Sequence, residues 1–139
     1  MQNNIAVLLP YKDQFIKDNA GSASIWVKDF SKDSKLKKNT TIFGYTSNVS
    51  KTFDNFNYVN LKFSNFGVQS KNLKYVNKFI DVLNKKNFSL IEIHNRPSYI
   101  LHIEKNLPNQ KYILVIHNNP QTLRGAVTPK ERKHLIKLC

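Results

Sequence analysis

The chain has 139 residues, 40% hydrophobic and 12% aromatic, a balance that supports one packed core, excludes a disordered chain and is short for two ordinary domains. Twenty-two Lys and Arg against nine Asp and Glu give a formal charge of +13, spread through every segment and mostly lysine, which suits diffuse attraction to anionic surfaces better than a dedicated nucleic-acid site. No run approaches the ~20 apolar residues of a spanning helix, Met1-Gln2-Asn3-Asn4 lacks the pattern of a secretory leader, and the only cysteine, Cys139, excludes a disulfide framework within one chain. A cytoplasmic location is therefore expected.

Ile5-Ala6-Val7-Leu8-Leu9 ends at Pro10, as a buried strand entering a loop does. Gly21-Ser22 then precedes Ile25, Trp26, Val27 and Phe30 at near-helical spacing. Lysines between Lys32 and Lys38 lead to Thr40-Thr41-Ile42-Phe43-Gly44-Tyr45, whose β-branched and aromatic residues predict a second strand, with a third over Phe56 to Leu61. Leu73, Val76, Phe79, Ile80 and Leu83 predict an amphipathic helix. Ser89-Leu90-Ile91-Glu92-Ile93 and Tyr112-Ile113-Leu114-Val115-Ile116 read as two further buried strands, separated by a short helix opening near Pro97. Thr128-Pro129-Lys130-Glu131 combines an N-cap, a proline at the first helical position and a capping-box glutamate. Strands alternating with helices predict an α/β fold, a three-layer Rossmann-like sandwich with a mostly parallel sheet. The last helix stops at Cys139 without a capping signal, so residues 1–139 are expected to be one domain of a longer chain.

In such a sheet ligands bind beyond the carboxyl ends of the strands, which selects the loops at Pro10, Tyr45, His94-Asn95-Arg96 and His117-Asn118-Asn119-Pro120. An imidazole at His117 can orient a sugar hydroxyl, or it can simply cap its strand. Arg96 offers a fork for phosphate or carboxylate, or an ion pair with a nearby acid. Two histidines on neighbouring strands also raise a metal, but neither short loop holds a carboxylate, so no metal is expected. Asn19-Ala20-Gly21-Ser22-Ala23-Ser24 can present backbone N–H groups to an anion, or its glycine can serve close packing. It matches neither the dinucleotide-binding nor the P-loop glycine pattern.

The first strand with its small-residue loop, then Ile91 to Pro97, and above all Val115-Ile116-His117-Asn118-Asn119-Pro120-Gln121-Thr122-Leu123-Arg124-Gly125 before Thr128 to Arg132, resemble the N-terminal domain of the large retaining GT-B group of bacterial glycosyltransferases, particularly those building lipopolysaccharide or other surface glycans. The resemblance covers most of the chain and is poorest from Thr52 to Asn72. It implies an acceptor-side domain that works with a separate nucleotide-sugar-binding domain, with a nucleotide-sugar as co-substrate and no other cofactor. It places Gly21 and Ser22 in the loop near the donor phosphates and His117 near the transferred sugar. His94, Asn95, Arg96, Asn118 and Arg124 are the further substrate-binding candidates. The usual glycine pair after the first strand is reduced to Ala20-Gly21, and the donor-holding glutamates of the second domain lie outside these residues.

The expected function is transfer of a sugar to a glycan or lipid-linked acceptor, with these residues inactive alone and with peripheral contact at the inner face of an anionic membrane. The competing reading is a non-catalytic, basic Rossmann-like module that holds an anionic polymer, nucleic acid or glycan. A receiver-type signalling domain would need acidic residues at the ends of the early strands, and Leu9-Pro10-Tyr11 has none.

Overall fold

The computed structural model describes residues 4–139. Five strands, β1 (Ile5–Leu8), β2 (Thr40–Gly44), β3 (Asn57–Asn60), β4 (Leu90–His94) and β5 (Tyr112–Val115), form one sheet in the order β3-β2-β1-β4-β5. Every pairing is parallel, with Val7 opposite both Ile42 and Glu92, and His94 opposite Val115. The helices are α1 (Ser22–Lys32), α2 (Lys71–Leu83), α3 (Pro97–Asn106) and α4 (Pro129–Leu138).

Period-two alternation sorts the core into two layers. Val7, Leu9 and Ile42 face one way and pack with Phe15 and with Ala23 and Val27 of α1. Ala6, Leu8, Phe43, Ile91 and Ile93 face the other way, against Tyr75, Val76 and Phe79 of α2, Ile100 and Ile103 of α3 and Leu135 of α4. The molecule is therefore a three-layer α/β sandwich of Rossmann-like form.

Chain order reverses between β1 and β4, because β2 and β3 lie to one side of β1 while β4 and β5 lie to the other. At such a reversal an open parallel sheet places its ligand site at the carboxyl edge, here between the loops leaving β1 and β4. Tyr75, fully buried, braces that edge by donating its hydroxyl to the carbonyl of Leu9 at 2.7 Å, and burial pushes its phenol well above the usual range. The predicted helix start at Thr128 forms as a reciprocal capping box: the Glu131 N–H donates to the Thr128 hydroxyl, and the Thr128 N–H donates to the Glu131 carboxylate. Among the described residues no helix is long and apolar enough to cross a membrane.

Candidate functional site

Because Ile91 and Ile93 of β4 point into the α2 and α3 layer, Glu92 and His94 emerge on the α1 face. His94 is buried and engaged at both ring nitrogens: Nε2 lies 2.7 Å from Glu92 Oε1, and Nδ1 lies 2.9 Å from Nε2 of His117. The two imidazoles stack with centroids 5.2 Å apart and planes inclined by 15°. Trp26 of α1 walls the pair, its ring centroid 5.3 Å from His94 and 5.7 Å from His117. Phe30, one turn on, stacks against Trp26.

With Glu92 ionised and His94 neutral, the hydrogen bonds select one pair of tautomers. An ionised carboxylate only accepts, so the Nε2 of His94 donates to Glu92. In a neutral pair Nδ1 of His94 then accepts from Nε2–H of His117, and Nδ1 of His117 keeps its lone pair. That atom has no partner among the described residues. Burial, reinforced by the neighbouring His94 and opposed by Asp13, holds the His117 imidazole below the usual histidine range. His117 is thus a neutral, half-buried hydrogen-bond acceptor at the sheet edge.

Asn95 sets the position of His117. It has a left-handed φ of 52°, which Asn tolerates better than most residues, and this conformation turns the chain sharply after β4. Its N–H donates to the carbonyl of Val115 at 2.8 Å, and its Oδ1 accepts the N–H of His117 at 2.8 Å. Arg96 donates from Nη1 to the carbonyl of Asn95 at 3.0 Å. The loop after β5 is tied in turn to α3, where the N–H of Ser98 donates to the carbonyl of Arg124. Gly125 lies against that same backbone with φ of 93°, and a Cβ there would stand 2.7 Å from the nitrogen of Ser98.

At the start of α1 the chain supplies its own anion. Asp13 accepts from the N–H groups of Ala23 and Ser24, each at 3.0 Å, and so occupies donors that would otherwise face the crevice. Gly21 is required by this contact, since a Cβ would collide with the Asp13 carboxyl group. Ser22 is exposed and, with Trp26 and Phe30, borders a shallow depression on α1.

Of the residues selected from sequence, His94, Asn95, Arg96 and His117 come together. Gly21 and Ser22 stand at the end of the helix that carries Trp26. Asn118, next to His117 in sequence, is exposed, whereas Arg124 lines a different depression with Ser70, Asn72, Ser98, Tyr99 and His102. Three contributors were not selected: Glu92, Asp13 and Trp26. Glu92 carried a usable signal, as the one charge in an apolar strand, two residues from His94 and therefore on its face. Trp26 was read only as part of an apolar helical pattern, and nothing local marks Asp13 as the cap of a helix nine residues on. Among the described residues no three His, Cys, Asp or Glu side chains group as a metal site requires. Comparison of the chain with protein-family models, with curated proteins and with solved structures finds no match.

Proposed function

We propose that this domain forms the acceptor-side wall of a sugar-transfer site, in which a glycosyl group passes from a nucleotide-sugar to a glycan or lipid-linked acceptor of a cell-surface polysaccharide or lipopolysaccharide. The observation that carries this reading is the Glu92–His94–His117 hydrogen-bond chain at the carboxyl ends of β4 and β5, beside the switch point between β1 and β4. A Rossmann-like sheet suits nucleotide or sugar binding in general, and the chain supplies what sugar positioning needs: a neutral imidazole whose free Nδ1 is fixed in direction by a second ring and a carboxylate.

In a retaining transfer, which the GT-B resemblance implies, the bond from the anomeric carbon to the donor phosphate breaks as the acceptor oxygen bonds to the same face, and the departing phosphate takes the acceptor's proton. His117 then holds a hydroxyl of the transferred sugar without having to remove a proton itself. Its depressed basicity suits this task, because a protonated ring would present no acceptor at Nδ1. On this proposal residues 1–139 give no sustained transfer alone, since the donor phosphates are held by a second domain. Paired with such a domain, His117→Ala lowers kcat by about 10²-fold, the scale for losing one positioned polar group. Unchanged kinetics in that variant would refute the assignment.

A second reading has its own observation. Lys28, Lys32 and Lys37, together with Lys17 paired to Asp54, surround a depression with Phe53 and Phe56, and the ammonium groups of Lys28 and Lys37 lie 5.3 and 4.5 Å from the centres of those two rings. An anionic polymer held there would make binding sensitive to Lys28→Gln and Lys37→Gln and indifferent to His117→Ala.

A further inference from the structure

We propose that the loop between β3 and α2, residues 62–71, docks the protein on an anionic lipid surface by inserting Phe66 and Val68. These two side chains are 92% and 105% exposed, the highest values among the large hydrophobic residues described. They flank Gly67, whose φ of 100° turns the backbone between them. A solitary exposed apolar side chain is ordinary, but two fully exposed ones at one loop tip form an apolar point that no described residue covers.

The loop is held in shape below that point. Lys74 of α2 donates from Nζ to the carbonyls of Ser64 at 3.2 Å and Phe66 at 2.6 Å, and the N–H of Phe66 donates to the Ser64 hydroxyl. Phe63 anchors its base, with ring centroids 5.6 Å from Tyr11 and 5.4 Å from Tyr45. Tethering therefore reaches the backbone of Phe66 and leaves its side chain and that of Val68 uncovered, so the tip is presented already formed.

Charge selects the partner. No acidic residue occurs between Asp54 and Asp81, whereas Lys62, Lys71, Lys74 and Lys78 all do. Lys71 shares a depression with Lys12, Tyr11 and Tyr45 beside the anchored base. A protein groove would suit the apolar tip equally well, but a tip carried on a segment whose only charges are lysines, Lys62 and Lys71 exposed at its two ends, matches the boundary between acyl chains and anionic headgroups. Because β3 runs parallel to β4 and β5, the loop leaves the same edge of the sheet that carries His94 and His117. Docking through it brings the open crevice to the bilayer surface. This inference rests on the loop alone and stands whether or not the crevice transfers sugar.

The test is sedimentation of the purified protein with vesicles of phosphatidylcholine alone or mixed with phosphatidylglycerol. The protein should partition onto the mixed vesicles and far less onto the neutral ones. Phe66→Ser and Val68→Ser should each weaken partitioning about tenfold, from the apolar burial lost. Lys62→Gln and Lys71→Gln should each weaken it by about fivefold, on the anionic vesicles only. Ile136→Ser, which removes an exposed apolar side chain from α4, should leave it unchanged. Equal binding by the Phe66→Ser, Val68→Ser double variant would show that diffuse charge alone is responsible and overturn the proposal. So would failure of the unaltered protein to bind mixed vesicles, or self-association in solution that Phe66→Ser abolishes without any vesicle binding.

Discussion

Replacing Asn95 separates two contributions that the structure places in one residue. Asn95→Ala removes the Oδ1 that accepts the His117 N–H at 2.8 Å, and that loss at a half-buried site is worth about 1–2 kcal/mol. The same substitution puts a Cβ-bearing residue without a compensating side-chain bond at φ of 52°, which costs about 1 kcal/mol more. Asn95→Gly loses the hydrogen bond but not the backbone compatibility, so its cost is nearer the hydrogen-bond contribution alone, apart from the added freedom of the unfolded chain. For a chain of this length roughly 1 kcal/mol corresponds to about 3 °C in Tm. Thermal and urea denaturation should therefore rank wild type above Asn95→Gly and Asn95→Gly above Asn95→Ala, with the alanine variant lowered by about 6–9 °C. The amide of His117 should also exchange with solvent faster in both variants. If the two variants are equally stable, the left-handed conformation carries no strain. If neither differs from wild type by more than ~0.5 kcal/mol, Asn95 does not hold His117 at all.

Burial holds His117 and His102 below the ordinary histidine pKa of about 6.5, so the unfolded chain binds more protons than the folded one on acidification. Stability is accordingly undiminished by these groups above that value and falls as pH drops through it, levelling once pH passes below the folded values. Tm measured against pH should show this fall, reduced in His102→Gln; a rise in stability on acidification through the same window would contradict it. Gly125→Ala combines a strained φ with a backbone collision at Ser98 and should lower stability by about 2–4 kcal/mol, which urea denaturation would measure. Asp13→Ala leaves the first N–H groups of α1 without their acceptor and should cost about 1–2 kcal/mol, with increased amide exchange confined to Ala23 and Ser24 if the cap is the whole effect.

Much of the fold was legible because its signals are local. Apolar runs bounded by Pro10 and by polar loops became β1, β4 and β5, and the 3.6-residue pattern through Leu73, Val76 and Phe79 became α2. Thr128-Pro129 with Glu131 specified its cap to the residue. His94 and His117 were legible as crevice residues because each ends or follows a strand. Their contact was not, because it depends on β4 and β5 being adjacent and on a diagonal reach from His94 past Val115 to His117. Glu92 lies on the strand itself, outside the loops in which a carboxylate beside the two histidines is expected. Asp13 could not be identified as the α1 cap, since the intervening loop returns on itself only in three dimensions. The loop bearing Phe66 and Val68 lies in the stretch where the resemblance is poorest, and a short apolar pair shows its exposure only once the fold is known.

The central claim is that Glu92 and His94 fix the direction of His117 while burial keeps it neutral, with Nε2 protonated and Nδ1 free to accept a hydrogen bond from a sugar. Imidazole ¹⁵N spectroscopy of the histidine-labelled protein above neutral pH reads tautomers directly. The account predicts the Nε2–H form at both His94 and His117, and a shift at Nδ1 of His117 when a nucleotide-sugar and a glycan acceptor are added to the domain paired with its donor-binding partner. An Nδ1–H tautomer at His117, or a spectrum indifferent to every sugar offered, would contradict it.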